Sequence, residues 1–187
     1  MRRLALVVDD ATDMSSSTLL YLAVRVLHVL LAAGWLGTVG FVYLFLAPAL
    51  DEAGPAAAPL MVTMSRRGFD AVIASVGGIT VLTGLWLYWR FTGGFDPAAS
   101  ATMGARVFGA GGAAGILAAI LGGAILGRTS KKMTALAAKV IATTDAAQRA
   151  GLMAEIAAAK QRMSLWGKVV FALQVIALTC MAVGHYV

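Results

Sequence analysis

The stretch RVLHVLLAAGWLG, Arg25 to Gly37, puts an arginine and, three residues on, a histidine inside a run from Leu19 to Leu50 that is otherwise almost wholly apolar. Ionisable side chains are costly in hydrocarbon, so where they occur they mark a functional-site hypothesis. The chain has two histidines, and the other, His185, lies two residues from the end. Imidazole is the commonest metal ligand among side chains. Two imidazoles brought to similar depth on two helices suit haem b, which takes an axial ligand on each side of the iron. Arg25 falls one helical turn from His28 on the same face, toward the headgroups, where a haem propionate would sit. Arg90 and Arg106 fall at the ends of apolar blocks on that same side, and Trp35, seven residues after His28, continues the face inward as an apolar wall. A plainer origin exists for each: Arg25 snorkelling to the interface, His28 as a packed hydrogen-bonding residue, His185 as a wet interfacial one.

Copper is the competing chemistry. Met181 and His185 are four apart and share a helical face, with Cys180 adjacent, and thioether, thiolate and imidazole suit Cu(I). Met61 and Met64 form a second pair. The chain has neither the Cys/His spacing of a structural zinc site nor a phosphate-binding glycine loop nor a Ser/His/Asp set. A third reading is a cofactor-free structural or assembly subunit of a membrane complex.

These residues need apolar helices to position them. Of the 187 residues 60% are hydrophobic and 13% charged, where a soluble domain carries about a quarter charged. Mean hydropathy is +0.84. Four blocks reach the roughly 20 residues that a spanning helix needs, at about 19–49, 69–91, 105–127 and 166–187. None shows the alternating pattern of a membrane barrel strand. The fold class expected is all-α, a four-helix membrane bundle in one domain over 19–187, preceded by a flexible tail over 1–18 in which Met14 is an alternative start. The first span is expected to end at Pro48 and the loop DEAGPAAAP.

Between the third and fourth spans, residues 129–163 are Ala-rich, with Met133, Leu136, Val140 and Ile141 at helical spacing. They predict one broken or two short amphipathic helices outside the hydrocarbon, with a restart cap at Thr144-Asp145. Along the third span Gly111, Gly115, Ala119, Gly123 and Gly127 recur every four residues, a stripe that lets another helix approach. Gln174, mid-way along the last span, is expected to hydrogen-bond across helices. Lys and Arg crowd into Arg128 to Lys168, with Arg66 and Arg67 on the same side. The positive-inside rule therefore puts both termini outside the bacterial cytoplasmic (inner) membrane. The net charge of +6 reads as this loop charge, so no nucleic-acid partner is expected. The partners expected are the lipid bilayer and a membrane redox partner or a second copy. Cys180 is the only cysteine, which excludes an internal disulfide.

With these residues in place, RVLHVLLAAGWLGTVGFVYLFLAPAL resembles the first helix of a group of small bacterial membrane families. The group comprises the copper-resistance protein D family, the urate hydroxylase membrane domain and the membrane-embedded protoporphyrinogen oxidase. The shared features are His28, Trp35, Gly37, Phe41 and Tyr43, and the closing MAVGHY is similar to the histidine-tyrosine ending of the urate hydroxylase membrane domain. The resemblance implies that His28 serves as a haem or copper ligand. It covers the first span well and the last weakly, and the basic segment over 129–163 has no counterpart in it.

Overall fold

A computed structural model describes the backbone of residues 2–187 and the side chains of residues 16–187. The side chains of the N-terminal segment, with Arg2, Arg3 and Met14, lie outside the described residues. The protein is an all-α, multi-pass membrane protein. Four stretches are long and apolar enough to cross a bilayer: Ser16–Arg66, Phe69–Phe91, Met103–Ala142 and Ala146–Val183. The outer surface suits lipid, since Leu30, Leu82, Ile120 and Ile176 are each more than half exposed.

The first stretch does not stop at Pro48. Helix α1 (Arg2–Phe41) passes through a π-helical turn (Val42–Leu46) into α2 (Ala47–Ala53), a 3₁₀ turn (Gly54–Ala57) and α3 (Ala58–Arg66). A proline ring collides with the carbonyl four residues earlier, here Leu44, and has no N–H to give it. The π turn just before Pro48 absorbs both problems by shifting the ladder, with the Ala47 N–H bonding the Val42 carbonyl. The segment expected as a loop is therefore helical. The chain reverses only at Gly68, whose φ of 79° suits glycine, and α4 (Phe69–Phe91) begins there. Asp70 in its first turn and Arg90 in its last both favour the helix dipole. They lie twenty residues apart in sequence, about 30 Å of helix and one bilayer core.

After α4 the chain turns through Gly93 and Gly94, both with positive φ, into the short α5 (Pro97–Ser100). Helix α6 (Met103–Leu121) is capped by the Thr102 hydroxyl, which accepts from Ala105 N–H at 3.3 Å. A second π-helical segment (Gly122–Gly127) carries it without a break into α7 (Arg128–Ala142). Helix α8 (Ala146–Val183) begins at Asp145, whose carboxylate accepts from Ala147 N–H at 2.8 Å. This is the restart cap the sequence suggests. At 38 residues, α8 is about 57 Å long, nearly twice a bilayer core.

The basic segment is thus not a set of separate short helices. It is a helical hairpin formed by direct extension of the third and fourth spans. Its own core joins Met133, Leu136, Val140 and Ile156 with Met61 of α3 and Met153 and Met163 of α8. Ile141 does not take part and is 52% exposed. Lys160 pairs with Asp51 of α2, and the Ser130 hydroxyl donates to Asp70 Oδ1 at 2.8 Å, tying α7 to the start of α4.

Within the spans α1 packs on α4, α4 on α6, and α6 most extensively on α8, while α1 meets α8 sparsely. Trp35, Ala118 and Val170 form the central core from α1, α6 and α8. The buried line on α6 is Gly104, Ala105, Gly111, Ala114 and Ala118. The expected four-residue stripe is followed only at its start: a Cβ on Gly123 would meet nothing within 4 Å.

Candidate functional site

The α1–α4 contact is made by flat rings seated on glycines. A Cβ on Gly77 would stand 3.0 Å from Cε2 and Cζ2 of Trp35, and one on Gly84 would stand 2.8 Å from Cε1 of His28. Gly77, Thr80 and Gly84 recur at helical spacing, so one face of α4 is low enough to admit both rings. Trp35, seven residues after His28, is 8% exposed and packs with Ala118 and Val170.

His28 Nδ1 lies 3.0 Å from the Thr80 carbonyl oxygen and 3.1 Å from Thr83 Oγ1. A carbonyl only accepts, so Nδ1 carries the proton. The Thr83 hydroxyl donates to the Ile79 carbonyl at 2.7 Å, leaving its oxygen to accept from the same N–H. Nε2 is then the unprotonated nitrogen, with its lone pair free of any hydrogen bond among the described residues. Metal-bound histidines are held in this way, the non-ligating nitrogen fixed by a carbonyl or carboxylate.

His185 is arranged differently. Its Nε2 accepts from Arg25 Nη2 at 3.0 Å, because a guanidinium only donates. Its ring stands edge-on to Phe108, with centroids 4.9 Å apart at 72°. Phe108 in turn fills the notch at Gly184, and the Gly184 carbonyl lies against Gly104. The end of the chain is thereby folded over the start of α6, and Arg25 links it to α1. Arg25 and His185 meet each other, while His28 meets α4. Arg90 and Arg106 are exposed at the same end of the bundle as Arg25.

Cys180 and Met181 both pack toward Gly111 on α6, Cys180 by Cβ and Met181 by its terminal methyl, while His185 turns to Arg25. Among the described residues no group of three or more His, Cys, Asp and Glu is placed to hold a metal ion.

Gln174 corrects one expectation. It is 5% exposed, yet among the described residues neither atom of its side-chain amide has a hydrogen-bond partner. Its neighbours on the same face of α8, Val170 and Ala177, pack on Ala118, Gly111 and Gly115 of α6, residues that carry no side-chain donor or acceptor. Sequence reasoning missed Thr80, Thr83, Gly84 and Phe108. The signal for the first three was present, as two hydroxyls and a glycine at i, i+3 and i+4 in an otherwise apolar span.

No family model, no curated protein and no solved structure matches this chain.

Proposed function

We propose that this protein binds haem b within the membrane, with His28 as an axial ligand, and serves electron transfer or another membrane redox step. One observation carries the reading: His28 Nδ1–H is fixed by the Thr80 carbonyl at 3.0 Å, which leaves Nε2 as the basic nitrogen inside an apolar bundle. His28 would hold the group through Nε2, a role that the engagement of its Nδ1–H by Thr80 and Thr83 supports. Nε2 of His185 is engaged by Arg25, so the reading rests on His28. When bound, haem supplies a one-electron couple whose potential the axial ligand and the surrounding polarity set.

The chain's own residues have distinct tasks in this reading. Thr80 and Thr83 orient the imidazole and keep its proton on Nδ1. Gly84 gives the ring its seat, and Trp35 closes the apolar side against water. Arg25, Arg90 and Arg106 supply the positive charge that a porphyrin's propionates require near the headgroups. The Lys/Arg-rich hairpin of α7 and α8 lies in the cytoplasm, with both termini outside a bacterial inner membrane. A membrane redox partner or a second copy completes the electron path.

The test is an absorption spectrum of protein purified from cells well supplied with haem. The wild type is expected to show a Soret band. His28→Ala should lose it, and His185→Ala should keep it. A wild type without a Soret band, or a His28→Ala variant that retains the wild-type spectrum, removes the proposal.

A further inference from the structure

The α6–α8 contact is the most extensive in the bundle, and small residues make it so. At Gly111 the two helices touch closely: a Cβ there would stand 2.7 Å from Cys180 Cβ and 3.2 Å from the Ala177 carbonyl oxygen. Gly115, one turn along, is different. A Cβ there would meet only Ala177 Cβ, at 3.9 Å. The interface is therefore looser at Gly115 than at Gly111, since the nearest atom to a Cβ stands at 3.9 Å rather than 2.7 Å.

Gln174 is aimed into this stretch. Val170, four residues before it, packs in the cluster with Ala118 and Trp35, and Ala177, three residues after it, packs on Gly111 and Gly115. Both neighbours share its helical face. The side chain is 5% exposed, and its Oε1 and Nε2 are both buried without a partner among the described residues. A dry amide in hydrocarbon loses the solvation of its donor and its acceptor together. The facing helix has no side chain to offer, but each backbone carbonyl keeps a second lone pair. At Gly and Ala these oxygens are not screened by long side chains.

We propose that the α6–α8 interface binds a water-sized hydrogen-bonding molecule, water itself, between Gln174 and the α6 backbone beside Gly115. The size limit comes from the close approach at Gly111 and the full burial of Ala118, at 0% exposure. An apolar guest would leave the amide unmet. Water accepts from Nε2–H or donates to Oε1 and turns its remaining proton to an α6 carbonyl, giving it the two or more polar partners a buried water needs. It also gives the bundle interior a proton-exchanging group at mid-span that is independent of His28 and of any cofactor.

Two measurements decide this. In a dry interface Gly115→Ala gains helix propensity at no steric cost and raises the melting temperature in detergent. With water bound, the added methyl takes its space. Gly115→Ala should then lower the melting temperature of the wild type and raise that of a Gln174→Met variant, which holds no water. A rise of equal size in both backgrounds overturns the proposal. The second measurement uses unsubstituted protein with ¹⁵N-labelled glutamine, the Gln174 signal being assigned by its loss in Gln174→Met. The Gln174 side-chain NH₂ should show direct cross-relaxation with a long-lived water, and its absence overturns the proposal even if a variant fails to fold.

Discussion

Gly84→Ala tests the seat of the His28 ring directly. The new Cβ would stand 2.8 Å from Cε1 and 3.4 Å from Nδ1 of His28, where carbon atoms in contact sit roughly 3.5–4.0 Å apart. The ring must retreat by about 1 Å by this criterion. That stretches the 3.0 Å and 3.1 Å contacts to Thr80 and Thr83 beyond hydrogen-bonding range. Overpacking of a close helix contact costs about 1–3 kcal/mol, and the lost hydrogen bond adds about 1 kcal/mol. Alanine returns about 1 kcal/mol of helix propensity, so the net loss is about 1–3 kcal/mol by these figures. Gly78 is the control, because a Cβ there meets nothing within 4 Å; Gly78→Ala should be neutral or slightly stabilising. Unfolding in mild detergent, followed by tryptophan fluorescence, measures the pair. In haem-loaded protein the haem-to-protein ratio should fall for Gly84→Ala alone. If Gly84→Ala is as stable as Gly78→Ala, the imidazole does not rest on α4, and the argument for its tautomer goes with it.

Two further outcomes are expected. Reporter fusions at Ala146, at the start of α8, and after Val187 should report opposite sides of the membrane, the first cytoplasmic; the same side for both would break the four-span topology. Gly111→Leu should sharply lower thermal stability, since even a Cβ there would stand 2.7 Å from Cys180 Cβ, whereas Gly123→Leu should be tolerated because its surroundings are open. Equal losses at the two sites would mean that the π-helical end of the third span packs against protein after all.

Hydropathy made the four spans legible, because a bilayer demands uninterrupted apolar length and few other structures do. It said less about where helices end. Pro48 and the Gly122–Gly127 stretch look like stops in a sequence, yet in both places a π-helical turn re-pairs the backbone and the helix continues. The hairpin was legible in its cap at Asp145 and its face of Met133, Leu136 and Val140, but not in its attachment. Nothing local tells a helix that leaves the membrane and ends from one that runs on. Arg25 and His28 stood out because charge in an apolar run is rare. Their partners did not, since Thr80 and Thr83 engage His28 through a carbonyl and a hydroxyl of kinds common to membrane helices. The partner of Arg25 lies 160 residues away, and only packing brings it close. Gln174 failed in the opposite sense: a mid-span amide ordinarily finds a partner on a neighbouring helix, but here the neighbour presents glycines and alanines.

Arg25 and His28, three residues apart, thus interrupt one apolar run for separate reasons. Arg25 is exposed near one end of the bundle, and its donor meets the acceptor of His185 at 3.0 Å, so part of its insertion cost is offset by a charge-assisted hydrogen bond. That bond is also the link between α1 and the C-terminal end of α8, along a seam where the two helices otherwise meet sparsely. Arg25→Gln should therefore loosen the seam whether or not a cofactor is bound. His28 contributes nothing to that seam. Its two hydrogen bonds go to α4 through one nitrogen, and α1 already packs on α4 through Trp35 and Gly77 without it. A purely structural side chain at position 28 would not need a second, unpaired basic nitrogen inside the bundle. That surplus is what distinguishes His28 from Arg25, and it is why the ligand role is proposed for the histidine alone.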